Sequence, residues 1–415
     1  MFKCLLQLCS PDGNSARGKT ELRHDVNMLS GVVNRELMPL NQTDVRLLLQ
    51  LTQRRQSLLS ELSLDESEAE LRARLMRLKN CGIVSLSADE KRAGIAESPD
   101  RVIGVDMGAT NTRYLLSDLG GNVLSTFRER ARPLQDPKTT VDQLIFRISE
   151  LNEQHCGADR LRAIAIGVPS AVHPQTGLLI SANNLEGWKD VSMREDVAAA
   201  FGVPVLLDND CNMAAIGEYW RGTAVGVGNF IFLAIGTGIG SGIFIDHKLY
   251  QGRTGSAGEV YLMNVDWRRW NEEFPETGHV ETYVSGVGIA EQARQAGILK
   301  RSAKMTELDD RDSRRVFAAM RRGNPKAAQV VNEILTVLGV TVANMISVLD
   351  PDLVVLNGGI TKGDPHLLLG TVHKVVHRIH RDVPAIRISA LGDKAQLYGS
   401  LWTGLQHVFS TMAAE

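Results

Sequence analysis

The sequence predicts an α/β protein whose main part is built around glycine-rich turns and is preceded by a smaller helical domain. Three observations carry this expectation. After Pro99, apolar β-branched runs alternate with helical patterns, several of those runs end in clusters of Gly, Thr and Asn, and the residues before Pro99 contain no glycine-rich strands. At 415 residues the chain is long enough for two or three domains, and 43% hydrophobic with 23% charged residues is an ordinary globular balance. A net charge of −2 gives no global footprint for nucleic acid, and Cys4, Cys9, Cys81, Cys156 and Cys211 form no CxxC pair, which suits a reducing cytoplasm. The apolar run from Asn229 to Ile245 is interrupted by Gly236, Gly238, Gly240 and Gly242, so no transmembrane helix is expected.

Taken from the N-terminus, residues 1–40 read as an extension. Asp44 to Gln53 fits a buried helix capped by Asn41 or Thr43, and Ser57 to Leu62 fits a second, shorter one. Ser63 to Glu66 turns the chain into a third helix, Ser67 to Asn80, with Leu71, Leu75 and Leu78 on one face. Gly82 stops it, Ile83 to Ser87 alternates like a strand, and Ala88 to Lys91 makes a small wing. Three helices and a hairpin over residues 41–92 have the layout of a winged helix-turn-helix domain, joined to the rest by a linker at 93–100. Its third helix would offer Ser67, Arg72, Arg74, Arg77 and Lys79 to a DNA operator. The charges argue for a dimerisation or regulatory module instead: residues 1–100 carry 14 basic against 14 acidic side chains, and Asp65, Glu66, Glu68 and Glu70 crowd the start of the third helix.

Past Pro99 the run Val102 to Arg113 is a strand entering a turn of Gly108, Thr110, Asn111 and Thr112. That turn either wraps its backbone N–H groups around a phosphate or closes a plain hairpin. Ala163 to Pro169 is a buried strand, and Ser181 to Trp188 is a polar loop containing Asn184. Val203 to Leu207 is a strand that emerges into Asp208-Asn209-Asp210-Cys211-Asn212. A carboxylate at the carboxyl end of a strand is well placed as a general base, although Asn209 or Asp210 equally serves to cap the helix that follows. Ile235 to Gly242 has more glycine than a hairpin needs, favouring close backbone approach to an anion. Leu353 to Ile360 ends in Gly358-Gly359, against which a flat nucleoside can lie.

In combination these residues resemble the ROK family of repressors and sugar kinases, over about residues 100–405. The resemblance implies an actin-like, hexokinase-like pair of α/β lobes closing on a cleft, with residues 101–207 and 392–415 in one lobe and 208–391 in the other. It implies Asp210 as the base that takes a proton from a sugar hydroxyl, and Asn184, Asn209, Asp210, Glu259 and Glu281 as sugar partners. It also implies ATP around Asp106, Gly108, Thr110, Asn111, Thr112, Gly236, Thr237, Gly238, Gly358 and Gly359, with Mg²⁺ if kinase chemistry is retained. One family feature is missing. Where a structural zinc would take a His and three Cys, this chain has Leu262, Glu272, Phe274 and His279, so no zinc is expected. Trp267, Trp270 and Phe274 either plug that space or cap a surface loop.

Two functions follow from this reading. One is a cytoplasmic transcriptional regulator that senses a sugar or sugar phosphate and binds operator DNA as a homo-oligomer, dimer or tetramer, with no membrane partner. The other is an ATP-dependent sugar kinase carrying an accessory N-terminal domain.

Overall fold

The computed structural model describes residues 40–412, apart from residues 55 and 63 and the segments 109–110, 132–135, 156–159, 182–191, 274–277 and 301–309. The expected extension over 1–40, all but its last residue, and the candidate residues Thr110, Asn184 and Phe274 lie outside the described residues.

Helix α1 spans Gln42–Leu51 and begins where Asn41 caps it: Asn41 Oδ1 accepts from Asp44 N at 2.9 Å, and Asp44 Oδ2 accepts from Asn41 N at 2.8 Å. The helix expected over Ser57 to Leu62 is instead a two-residue strand, β1 (Ser57–Leu58), and a 3-10 turn, Leu59–Glu61. Tertiary pairing overrides local propensity there, because Ser57 and Leu58 align antiparallel with Ala93 and Arg92. Helix α2 (Glu68–Asn80) is capped by Ser67 and buries Leu71, Leu75 and Leu78; β2 (Val84–Leu86) and β3 (Arg92–Ile95) complete a sheet in the order β1-β3-β2. Since β3 runs to Ile95, the linker is shorter than the 93–100 expected.

Arg74 and Arg77 do not stand free on the surface of α2, as the DNA-contact expectation required. Both pair with Asp44, which is fully buried, and Arg74 also pairs with Glu66. A buried carboxylate needs such partners, so these two arginines clamp α2 to α1.

The main body contains two five-stranded sheets of the same design. The first uses β4 (Arg101–Met107), β5 (Asn111–Asp118), β6 (Val123–Arg130), β7 (Leu161–Val168) and β10 (Val205–Asn209), with helices α3 (Pro137–His155) and α4 (Met193–Phe201) inserted; β8 (Ala171–Val172) and β9 (Leu179–Ser181) form a separate small ladder. Helix α5 (Asp210–Arg221) leads to the second sheet, made of β11 (Phe230–Ile235), β12 (Ile239–Ile245), β13 (Lys248–Leu249), β14 (Leu353–Asn357) and β15 (Ala385–Ile388). Helices α6 (Glu281–Val284), α7 (Gly286–Gln295), α8 (Asp310–Arg321), α9 (Pro325–Leu349) and α10 (Pro365–Ile379) lie between its strands in sequence, and α11 (Ala395–Thr411) follows. The strand orders are β10-β7-β4-β5-β6 and β15-β14-β11-β12-β13, each with three parallel strands followed by two antiparallel ones. The turns after β4 and β11 therefore occupy equivalent places in two repeats. The first sheet extends to Asn209, two residues beyond the lobe boundary expected at 207.

Helices α3 and α4 cover one face of the first sheet and α11 the other, while α7 to α10 and α5 cover opposite faces of the second. Among the described residues, α9 is the one long apolar helix. It is long and apolar enough to cross a membrane, but Ile334, Leu335, Leu338 and Val342 are fully buried against the second sheet. Each such side chain contributes roughly 1.5–3 kcal/mol to stability. Between the sheets, α5 and α11 meet backbone to backbone: a Cβ on Gly217 would overlap the Ala395 carbonyl, and one on Gly399 the Met213 carbonyl.

Candidate functional site

The register of the first sheet places Asp106 beside Gly167, and Gly167 beside Asp208, across three adjacent parallel strands. All three lie near the strands' carboxyl ends, where open α/β sheets take their ligands. Asp106 is fully buried; its Oδ2 accepts from Arg113 Nη1 at 2.7 Å, and its Oδ1 has no hydrogen-bond partner among the described residues. Burial pushes its carboxyl up to about 6 despite the Arg113 guanidinium. The turn beyond it is a hairpin, with Met107 opposite Thr112 and Gly108 N donating to Asn111 O at 3.0 Å. The Asn111 side chain is held by Arg128, at 3.1 and 3.0 Å.

At the end of β10 the two roles left open for Asn209 and Asp210 separate. Asn209 caps α5, its Oδ1 accepting from Cys211 N at 2.8 Å and Asn212 N at 3.2 Å, while its Nδ2 donates to Ser170 O. Asp210, the first residue of α5, is released from capping and is approached by Gln396 Nε2 at 3.4 Å. Burial, then the nearby charge of Asp106 and, more weakly, that of Glu259, push the Asp210 carboxyl to about 7. Sequence reasoning missed Asp208, which is buried and receives Asn212 Nδ2 at 2.8 Å and Gln251 Nε2 at 2.9 Å. Its place in the Asp-Asn-Asp run was a usable signal; nothing local marks Gln251.

The second glycine loop is a three-residue turn, residues 236–238, between the paired Ile235 and Ile239. Not all of its glycines serve an anion. Gly240 and Gly242 lie within β12 because α5 packs on them, a Cβ at 242 falling 2.5 Å from the Ala215 Cβ and one at 240 falling 2.5 Å from the Cys211 Sγ. Gly238 makes room for Glu281, whose Oε2 accepts from Ile239 N at 2.9 Å. Burial raises Glu281, and burial with the charge of Glu281 raises Glu259, so the carboxyls form one coupled acidic cluster. Gly358 has φ +98° and abuts the Ile235 backbone; Asn357 Nδ2 donates to Gly392 O at 3.1 Å, and open space faces Gly359 and Gly236.

The segment with the altered zinc pattern is built from an arginine. Arg269 pairs with Glu272 at 2.6 Å and donates to Tyr283 OH at 2.6 Å, while buried His279 Nδ1 accepts from Val265 N at 3.2 Å. Burial, reinforced by Arg269, lowers the His279 pKa. Trp267 and Trp270 are 79% and 76% exposed, so of the two alternatives the surface cap, not the apolar plug, describes these two residues, and Leu262 is 61% exposed.

The chain is 30% identical to a glucokinase of Halalkalibacterium halodurans over 319 residues, 72% of this chain and 93% of that protein. It is 27% identical to a xylose repressor of Caldicellulosiruptor bescii over 312 residues, 72% of this chain and 77% of that one. Among solved structures, a ROK family glucokinase from Streptomyces griseus in complex with glucose and AMPPNP matches with TM-score 0.62 at 27% identity, covering 74% of this chain and 99% of that one. A ROK family transcriptional regulator, a homologue of the E. coli MLC protein, shares the fold with TM-score 0.69 at 21% identity, covering 84% of this chain and 90% of that one. The fold is therefore the actin-like one of ROK sugar kinases and repressors. With residues 102–406 matched by the ROK family model, this chain belongs to the ROK family.

Proposed function

We propose that the chain is a ROK-type transcriptional regulator that senses a sugar or sugar phosphate and binds operator DNA to control carbohydrate metabolism genes. The observation that carries this reading is the module over residues 41–95, in which helix, short strand, turn, helix and hairpin follow in the order of a winged helix-turn-helix. Sugar phosphorylation has no need of such a module. The likeness to the solved regulator covers 84% of the chain, against 74% for the solved glucokinase, which supports this reading. In this reading Arg72 and Lys79 on α2, with Lys91 and Arg92 on the hairpin, face DNA as exposed cations, whereas Ser67, Arg74 and Arg77 hold the module together. Asn209, Asp210, Glu259 and Glu281, with Asn184, supply hydroxyl partners for a pyranose. A dimer or higher homo-oligomer would match a two-fold operator.

The second reading, a sugar kinase, is favoured by Asp210, freed from capping and with a carboxyl near neutrality. The residues fit Mg²⁺ and ATP: Asp106 presents a buried carboxylate oxygen with no hydrogen-bond partner among the described residues, and Mg²⁺ commonly uses only one or two carboxylates together with substrate phosphates. When bound, Mg²⁺ neutralises phosphate charge. A thermal-shift screen of the purified chain against D-glucose, D-xylose, their phosphates and ATP-Mg²⁺ separates the readings. A sugar or sugar phosphate that stabilises without nucleotide, by about 2.7 kcal/mol at a hundred times its Kd, supports the sensor. Stabilisation by nucleotide accompanied by turnover supports the kinase.

A further inference from the structure

One helix joins the candidate ligand site to the N-terminal module. Asn209 and Asp210 stand at the start of α5, and its last two residues, Trp220 and Arg221, end against α1. Trp220 is buried and donates from Nε1 to Thr52 Oγ1 at 3.1 Å. Arg221 lies over the Trp220 ring, its guanidinium 3.8 Å from the centroid, and donates to the backbone carbonyl of Thr52. Thr52 is the C-cap of α1, so a cation meets the negative end of that helix. Tyr398 of α11 stands edge-on to Trp220, 6.2 Å between ring centroids. Gly121, at φ +72°, leaves the room: a Cβ there would lie 2.8 Å from Arg221 Nη2 and 3.1 Å from the Thr52 carbonyl.

Arg221 is a half-buried cation. Among the described residues it makes no ion pair, its Nε has no hydrogen-bond partner, and burial lowers its pKa to about 10. Asp118 acts on it only from beyond ion-pair distance, so this partly desolvated guanidinium is sensitive to small shifts of its carbonyl partner at Thr52. The rod it terminates crosses α11 at Gly217 and Gly399, where no side chain intervenes. Leu47, Leu48 and Leu51 of α1 share one apolar core with Leu397, Leu401, Leu405 and Phe409 of α11. Displacement of α5 at its ligand end therefore reaches α1 through rigid, packed elements.

We propose that Trp220 and Arg221, closing on Thr52, form the latch through which occupancy of the site at Asn209 and Asp210 alters the DNA-binding module. This inference rests on the regulator reading and names its coupling element. The test uses the full chain and the variants Arg221→Met, Arg221→Lys and Trp220→Phe, the last keeping an aromatic side chain while removing the N–H together with part of the indole, in case the methionine variant does not fold. Sugar affinity is measured by calorimetry with D-glucose and D-xylose. Hydrogen exchange over residues 42–54 and DNA affinity are then measured with and without sugar.

In the wild type, sugar is expected to change DNA affinity about fivefold or more, in the usual range of coupling, and to change exchange in the last turn of α1. In Arg221→Met and Trp220→Phe both responses fall below about twofold, while sugar affinity stays within about threefold; Arg221→Lys recovers part of the response. Variants that fold, bind sugar and keep the full response overturn the latch and leave the regulator reading standing. A wild type that binds no sugar, or whose sugar binding changes neither readout, overturns the regulator reading and the latch with it.

Discussion

Replacing Asp210 by Asn keeps the side chain's shape and removes its charge, and the consequence for stability depends on pH. In the folded chain, burial first and Asp106 second raise the Asp210 carboxyl from 3.8 to about 7. A raised carboxyl contributes stability that is fully present below its unfolded value and is lost as pH rises through the folded one. Between about pH 4 and 7 the loss runs at about 1.4 kcal/mol per pH unit, with an upper bound near 4 kcal/mol at pH 8. Because Asp210 is only partly buried, about half of that, roughly 2 kcal/mol, is the expected gain for Asp210→Asn at pH 8. At about 2.1 cal/mol/K per residue over the roughly 340 described residues, this corresponds to a rise in Tm of about 3 °C. Scanning calorimetry at pH 4, 6 and 8 reads it directly: the gain should be largest at pH 8 and vanish near pH 4. A lower Tm for the variant at pH 8, or a gain independent of pH, refutes the desolvated-carboxyl account. The same variant should abolish any sugar phosphorylation, since an amide cannot accept the proton, and leave much of the sugar response of DNA binding.

Three further outcomes are expected. Gly399→Ala drives a Cβ into the Met213 carbonyl and should destabilise the chain by about 1–3 kcal/mol, measured as a lower midpoint in urea; an unchanged midpoint would mean that α5 and α11 part easily. Arg74→Ala removes one of the two arginines paired with the buried Asp44, leaving Arg77 in place, and should cost about 1.5–3 kcal/mol in the N-terminal module, read as faster limited proteolysis before residue 100, whereas Arg72→Ala should leave proteolysis unchanged and weaken DNA binding alone. Protein purified without chelator should contain no stoichiometric zinc by elemental analysis, because Glu272 is paired with Arg269 and Leu262 offers no ligand; one tightly held zinc per chain would contradict this.

Much of the fold was legible because its signals are local. The strands ending at Met107, Ile235 and Asn357 are apolar runs that stop at glycine turns, and the capping residues Asn41 and Ser67 precede their helices as their side-chain chemistry requires. What escaped depended on distant partners. Ser57 and Leu58 became a strand only because Ala93 and Arg92 lie beside them, and Arg74 and Arg77 turned inward only because Asp44 is buried. Gly240 and Gly242 looked like anion contacts, but the packing of α5 accounts for them. The separation of Asn209 from Asp210 needed the cap geometry, since either residue type can serve at that position. Gln251 and Arg221 carry no local mark at all: their roles exist only where Asp208 and Thr52 meet them in three dimensions.

The central claim, that the chain is a sugar-sensing regulator, is tested most directly by fluorescence anisotropy of the full chain on DNA from upstream of its own gene, at two salt concentrations, with and without D-glucose or D-xylose. The account predicts binding that weakens as salt rises, as phosphate contacts by Arg72 and Lys79 require, and an affinity that sugar changes about fivefold or more. Absence of binding at the lower salt, together with hexose phosphorylation at about 1–100 per second, would contradict it and place the chain with the kinases.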